Sequence, residues 1–214
     1  MKIGILGTGN VGRTLGTGLI GLGHDVMLGS RDAAKPELRQ WVAANGAGAS
    51  AGTFADAAAH GEIVLLCTSW TGLENAIALA TPANFAGKPV LDVTNPLDFS
   101  QGTPPRLAVG HTTSCGELVQ SWLPDAHVVK AFNIVTAAFM VNGQFAEGKA
   151  DMFIAGNNDQ AKKVAEEIVT AFNWNCHDLG GIEGARILEY YALLWIVFGF
   201  RTGEWNHAFK VVRK

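Results

Sequence analysis

The chain has 214 residues, with 48% hydrophobic and 16% charged side chains and a formal net charge of −3. That composition excludes a disordered chain and offers no basic excess for a nucleic-acid partner, and the length suits one large α/β domain, alone or with a small appendage. Three cysteines, Cys67, Cys115 and Cys176, are odd in number and lack C-x-x-C or metal-ligand spacing, so free thiols in a reducing compartment and no metal site are expected.

In chain order, Lys2–Leu6 is a short β-rich run, and Gly7, Gly9 and Gly12 complete G-x-G-x-x-G where a strand should pass into a helix. Met1-Lys2 leads straight into that strand without a secretory signal, which makes the cytoplasm the expected compartment. Gly7 suits a tight turn, Gly9 a close backbone approach by a diphosphate, and Gly12 close packing of helix on strand. The apolar helix expected over 10–22 opens with Asn10 and Val11, and its free N–H groups and positive dipole end would face the same phosphates. A second strand is expected at 25–28, behind Gly23. Strand, glycine turn, helix and strand together describe a nucleotide site.

The end of the second strand bears on which dinucleotide. An acid there would hold a ribose 2′-hydroxyl, but the chain has Ser30 and Arg31, with Lys35 shortly after. A hydroxyl and two cations suit a 2′-phosphate, which Arg31 could grip in bidentate fashion and Lys35 could meet as a point charge. NADP is therefore preferred to NAD. Asp32 is the competing reading, since a slip of two residues would put an acid on the ribose.

Farther along, 36–45 is helical with Pro36 in its first turn, 49–52 is a short strand, and Thr53 looks like the N-cap of a helix over 54–60. The apolar run 63–67 suits a parallel strand covered on both faces. Thr68, Ser69 and Trp70 follow at its carboxyl end, where open α/β sheets keep their ligands; Trp70 reads either as a cofactor contact or as a core or rim aromatic. A helix over 73–79, a turn over 81–87 and a strand over 89–93 lead to Thr94-Asn95-Pro96. Asn95 could bind a carboxamide or shape the turn. The loop-like segment 98–105 is a mobile flap or a plain connection. Ser114 and Glu117 have capping-box spacing for a helix through Trp122, and His111 lies in the connection before it, a titrating group or an incidental one. A strand over 127–131 ends at Lys130 and Ala131, bringing Asn133 to the same sheet edge.

The segment 134–148 is expected as a helix and turn, 151–155 as a strand, 158–172 as an amphipathic helix and 175–178 as a short last strand. Gly180-Gly181 breaks the chain before the greasiest stretch, 187–200. Its fourteen residues contain Glu189, whereas a membrane span needs about 20 predominantly apolar residues. No crossing is expected. A helix apolar all round must be covered by the core, by a cofactor or by another subunit.

GTGNVG at 7–12, GSR at 29–31 with Lys35, TNP at 94–96, VVKAFN at 128–133 and AGNNDQAK at 155–162 together resemble the NADPH-dependent reductases of coenzyme F420. The chain is also similar to the cytosolic portion of six-transmembrane ferric reductases, and the likeness runs from Met1 to about residue 200. It implies a Rossmann-type, doubly wound and mostly parallel sheet over residues 1–180, with a small helical C-terminal portion over 181–214 that walls the cleft and pairs two copies as a homodimer. It implies that Ser30, Arg31 and Lys35 hold the 2′-phosphate of NADP, with Thr8 close to it. A deazaflavin (coenzyme F420) or a flavin such as FMN or FAD would stack on the nicotinamide. No metalloreductase role and no membrane partner are carried over.

Hydride transfer between stacked rings needs position more than acid–base chemistry. The chain shows no Ser/His/Asp order and no paired carboxylates. We expect Thr68, Trp70, Asn95 and Asn133 to frame the rings, with no certain catalytic residue. Two alternatives stay open. A carbonyl or imine reductase would need a proton donor, for which His111 and Lys130 are candidates, and a non-catalytic NADP(H) sensor would need none.

Overall fold

Continuous apolar runs of four to six residues suit strands of a sheet covered on both faces, and such runs recur along this chain. In the computed structural model, which describes residues 1–214, the chain runs β1 (Lys2–Leu6), α1 (Asn10–Gly21), β2 (Asp25–Ser30), α2 (Pro36–Asn45), β3 (Ala49–Thr53) and α3 (Phe54–His60). It continues through β4 (Ile63–Leu66), α4 (Trp70–Leu79), β5 (Pro89–Asp92), the small hairpin of β6 (Leu97–Asp98) and β7 (Arg106–Leu107), α5 (Cys115–Trp122) and β8 (His127–Lys130). The last third holds α6 (Ala137–Met140), a second hairpin of β9 (Gln144–Phe145) and β10 (Gly148–Lys149), then β11 (Asp151–Gly156), α7 (Asp159–Ala171), β12 (Asn175–Asp178) and α8 (Ala185–Thr202).

The main sheet has the order β12-β11-β8-β5-β4-β1-β2-β3. Every neighbouring pair is parallel except β11 against β8. After β1 the chain builds outward through β2 and β3, then crosses to β4 on the other flank of β1. That reversal opens a crevice at the carboxyl ends of β1 and β4, the place where such sheets bind ligands. Alternation along the strands feeds two cores. Ile3, Ile5 and Leu65 join the side with Leu15 and Leu19 of α1, whereas Leu6, Val64 and Leu66 join the side with Leu73 and Ile77 of α4.

Local chemistry sets the helix starts. Thr53 caps α3 in a full capping box with Asp56, the Asp56 N–H donating to the Thr53 hydroxyl at 3.1 Å and the Thr53 N–H to the Asp56 carboxylate at 2.8 Å. Ser114 caps α5 by accepting from the Glu117 N–H at 3.1 Å. The Glu117 carboxylate does not return to the Ser114 N–H; it accepts from the Ser114 hydroxyl at 2.8 Å and from the Arg186 guanidinium of α8.

Two expectations change. The loop over 98–105 is the tip of the β6–β7 hairpin, and 134–148 holds a single helical turn and the β9–β10 hairpin. Two-residue ladders leave no periodicity to read in sequence. The apolar helix starts two residues earlier and ends two later than the stretch 187–200, and this chain itself covers one of its faces. Leu188, Glu189, Ala192 and Trp195 are buried, while Ile187, Tyr190, Leu194 and Phe198 are exposed. No helix is long and apolar enough to cross a membrane.

Candidate functional site

A cleft of about 250 Å³ opens at the carboxyl edge beside β1, β2 and β4. Gly7, Thr8 and Gly9 of the first turn form part of its lining. Ser30, Arg31 and Lys35 enter from the end of β2, and Thr68 and Ser69 from the end of β4.

The glycines divide their tasks. Gly7 has φ of +125°, and a Cβ there would stand 2.4 Å from the Cys67 carbonyl oxygen. A Cβ on Gly12 would stand 2.2 Å from the Gly7 carbonyl oxygen. Both therefore build the turn. A Cβ on Gly9 would meet nothing within 4 Å, so its missing side chain leaves open space. Helix α1 begins beside that space with no side-chain cap and no acid in its first turn, so its free N–H groups face a cradle suited to an anion. Val11 packs on the core and offers only its backbone there, while Asn10 accepts from the Arg13 guanidinium at 3.0 Å.

At the end of β2, Ser30 is buried and its hydroxyl accepts from the Asp32 N–H at 3.2 Å, which leaves its proton for an acceptor in the cleft. Asp32 accepts from the Ala34 N–H at 2.9 Å and does not line the cleft. The competing acid is thus occupied in closing its own turn. Arg31 is exposed, Lys35 is half-buried, and neither belongs to any ion pair of the protein. Across the cleft the Thr68 hydroxyl is buried with no hydrogen-bond partner, and Ser69 opens α4 without a side-chain cap. An orphaned buried hydroxyl costs about 1–3 kcal/mol, which a ligand's oxygen would relieve. An open cradle, an orphaned hydroxyl, two uncapped helix starts and two unpaired cations fit a phosphorylated dinucleotide.

Other predicted site residues do not line this cleft. Trp70 does not line the cleft; its ring stacks on Trp122 of α5, centroids 6.2 Å apart, because that face of α4 packs on α5. Asn95 and Asn133 bond each other. The Asn95 amide donates to the Asn133 carbonyl at 2.7 Å, and the Asn133 amide donates to Asn95 Oδ1 at 3.0 Å. His111 is an exposed loop residue with φ of +61° and does not line the cleft.

Lys130 corrects the proton-donor expectation. It is fully buried, with Nζ 2.7 Å from Asp92 Oδ2, 2.9 Å from Glu189 Oε1 and 2.8 Å from the Thr94 carbonyl oxygen. Burial works against its charge, but the Asp92 and Glu189 carboxylates outweigh burial and hold its pKa above the ordinary lysine value. It reaches no solvent, and its two carboxylate partners keep its proton in place. Glu189 and Asp92 were missed by sequence reasoning as site neighbours. Glu189 counted only against a membrane span, and the one signal was an acid inside a run of apolar residues. The ligand atoms of Asp92, Cys115 and Glu189 lie within 4.8 Å of one another, but the Lys130 ammonium bonds both carboxylates, so a cation is already in place. Loss of solvent contact and the nearby Asp92 carboxylate push the Cys67 and Cys115 thiols upward, and burial first, then Glu166 and Asp178, lift Cys176 to about 12. None is poised as a nucleophile.

Comparison with known proteins agrees with this geometry. The sequence model of the family described as NADP oxidoreductase, coenzyme F420-dependent, matches residues 2–96. A crystal structure from Arthrobacter sp. FB24, described provisionally as an F420-dependent NADP-reductase, is 38% identical with a TM-score of 0.93, each chain covered over 100% of its length. The F420-dependent NADP reductase of Methanothermobacter marburgensis is 28% identical over 99% of this chain and 98% of its own. Metalloreductase STEAP3 of Rattus norvegicus is 29% identical over 88% of this chain, which spans only 36% of that protein's length. On the full-length match above 30% identity, the chain belongs to the family of F420-dependent NADP oxidoreductases.

Proposed function

We propose that the protein binds NADP(H) and catalyses hydride transfer between its nicotinamide ring and a stacked deazaflavin, coenzyme F420, or a flavin. The observation that carries the reading is the joint lining of one cleft by Gly9, Ser30, Arg31 and Lys35, with Asp32 turned into its own loop. Bound there, the diphosphate would lie over Gly9 and the start of α1. The 2′-phosphate would take the Ser30 hydroxyl and the two unpaired cations. The nicotinamide half would cross the switch point toward the carboxyl ends of β4 and β5.

The residues around this path orient rings and do not move protons. Holding two rings roughly 3–3.5 Å apart in a near-attack arrangement supplies most of what such a transfer needs. The candidate donors fit that picture, Lys130 being sealed and His111 standing outside the cleft lining. Relatives named as F420-dependent NADP reductases favour F420 over a flavin as acceptor. A cytoplasmic homodimer is the form in which we expect it to act. The exposed Ile187, Tyr190, Leu194 and Phe198 of α8 give such a pairing an apolar face.

The test is an acceptor panel, with NADPH oxidation followed spectroscopically in the presence of F420, FMN or FAD. We expect turnover with F420 or a flavin, unchanged in His111→Ala. Tight NADPH binding with no turnover on any acceptor would replace the enzyme by a sensor, and loss of turnover in His111→Ala would restore a proton-donor mechanism.

A further inference from the structure

Two carboxylates and one ammonium are sealed beneath the carboxyl edge of β5 and β8, and hydride transfer by itself gives them no task. Lys130 directs its hydrogens at Asp92, Glu189 and the Thr94 carbonyl, all within 2.9 Å. The second negative charge is met by α5, whose Cys115 and Gly116 N–H groups donate to Glu189 Oε2 and Oε1 at 3.0 and 3.1 Å. That is the end of a helix where an anion is favoured.

The cluster is tied to the residues that follow β5 at its carboxyl end. Asp92 Oδ1 accepts from both the N–H and the hydroxyl of Thr94, at 3.0 and 2.6 Å. The next residue is Asn95, joined to Asn133 by the two bonds described above. Asn133 also donates to the Leu188 carbonyl at 3.0 Å. Consecutive residues of α8, Leu188 and Glu189, therefore fasten that helix to the exit of β8 and the start of α5, and Lys130 carries the link on to Asp92 of β5.

A buried ion pair is a poor source of net stability, because desolvation consumes most of the attraction and apolar side chains of similar volume serve as well. What this one delivers is a single geometry for Thr94 and Asn95. We propose that Glu189 is a positioning residue: through Lys130 and the start of α5 it holds the Thr94–Asn95 edge in place for the nicotinamide half of the dinucleotide. The inference rests on the NADP(H) reading above.

Calorimetric titration of Glu189→Gln with two probes tests it. One is NADPH; the other is 2′,5′-ADP, which keeps the adenosine and its phosphates but lacks the nicotinamide. We expect 2′,5′-ADP to bind within about twofold of the wild type and NADPH to lose about tenfold or more in Kd. A structural role alone would shift the melting temperature and move both probes together or neither, which overturns the inference. If Glu189→Gln does not fold, Thr94→Val decides. It keeps the ion pair, removes one hydroxyl, and must show the same split at smaller size; equal shifts for the two probes overturn the inference there too. A wild type that binds neither probe fails the NADP(H) reading, and the inference falls with it. A wild type that binds both, with no split in the variant, fails the inference alone.

Discussion

Gly9 and Gly12 sit one turn apart, yet an added methyl group should act at each by a different route. At Gly9 the backbone is extended (φ −72°, ψ −175°), open to alanine, and the new Cβ would meet no protein atom within 4 Å. Restricting the unfolded chain favours folding by about 0.4–1 kcal/mol. Alanine is a poorer N-cap than glycine by roughly 0.5–1 kcal/mol, so the two effects offset and stability should hold. Binding should not hold, because the methyl occupies the space the diphosphate needs. Overpacking of this kind costs about 1–3 kcal/mol, which is about 5- to 150-fold in Kd. At Gly12 the clash is internal, with Cβ 2.2 Å from the Gly7 carbonyl oxygen. The turn or the helix must shift, at about 1–3 kcal/mol. For a chain of this size that lowers Tm by about 3–10 °C. Thermal unfolding and calorimetric titration with NADPH on both variants separate the two routes. A Gly9→Ala protein that binds NADPH like the wild type would refute the placement of the diphosphate over Gly9. Equal losses of Tm in the two variants would refute the division of tasks.

Arg31→Ala should weaken NADPH by about 10- to 100-fold, since charge-assisted hydrogen bonds contribute about 1.5–3 kcal/mol, and should leave NADH nearly unchanged. Equal losses in parallel titrations would show that Arg31 does not read the phosphate. Lys130→Met leaves Asp92 and Glu189 buried without their cation, and urea unfolding should register a loss of about 3–5 kcal/mol; a loss under about 1 kcal/mol would mean the carboxylates find other partners. Burial pushes the Asp151 carboxyl up, but the Val211 N–H, the Asn175 amide and His177 outweigh it and leave the group below its ordinary value of 3.8. A lowered folded-state pKa adds stability that is present above the ordinary value and is lost as pH falls through the folded one. Asp151→Asn should therefore lower Tm at neutral pH and flatten its decline below about pH 4; an unaltered acid limb would contradict that linkage.

Much of the cleft lining from Gly7 to Lys35 is legible in the sequence because it is built from neighbours. The G-x-G-x-x-G turn, Ser30, Arg31 and Lys35 lie within one strand–helix–strand unit, where spacing alone determines which groups meet. Thr53 as N-cap of α3 was readable for the same reason. Trp70 was not, because its direction depends on α5 more than fifty residues later. The paired amides of Asn95 and Asn133, and the occupation of Glu117 by Arg186, likewise depend on packing between distant elements.

By itself the sequence determined most strands and helices of the sheet and the glycine turn between β1 and α1, since hydrophobic period, glycine turns and helix starts are local properties; the order of the strands came only with the fold. Only the tertiary structure decided the fate of the charges in the interior. Lys130 looked like a proton donor at a strand exit and Glu189 like a polar interruption of an apolar helix. A lone buried charge is prohibitive, so each required a partner, and those partners lie 38 and 59 residues from Lys130 along the chain, at Asp92 and Glu189. No rule of spacing joins positions so far apart; the docking of α8 on α5 and β8 does.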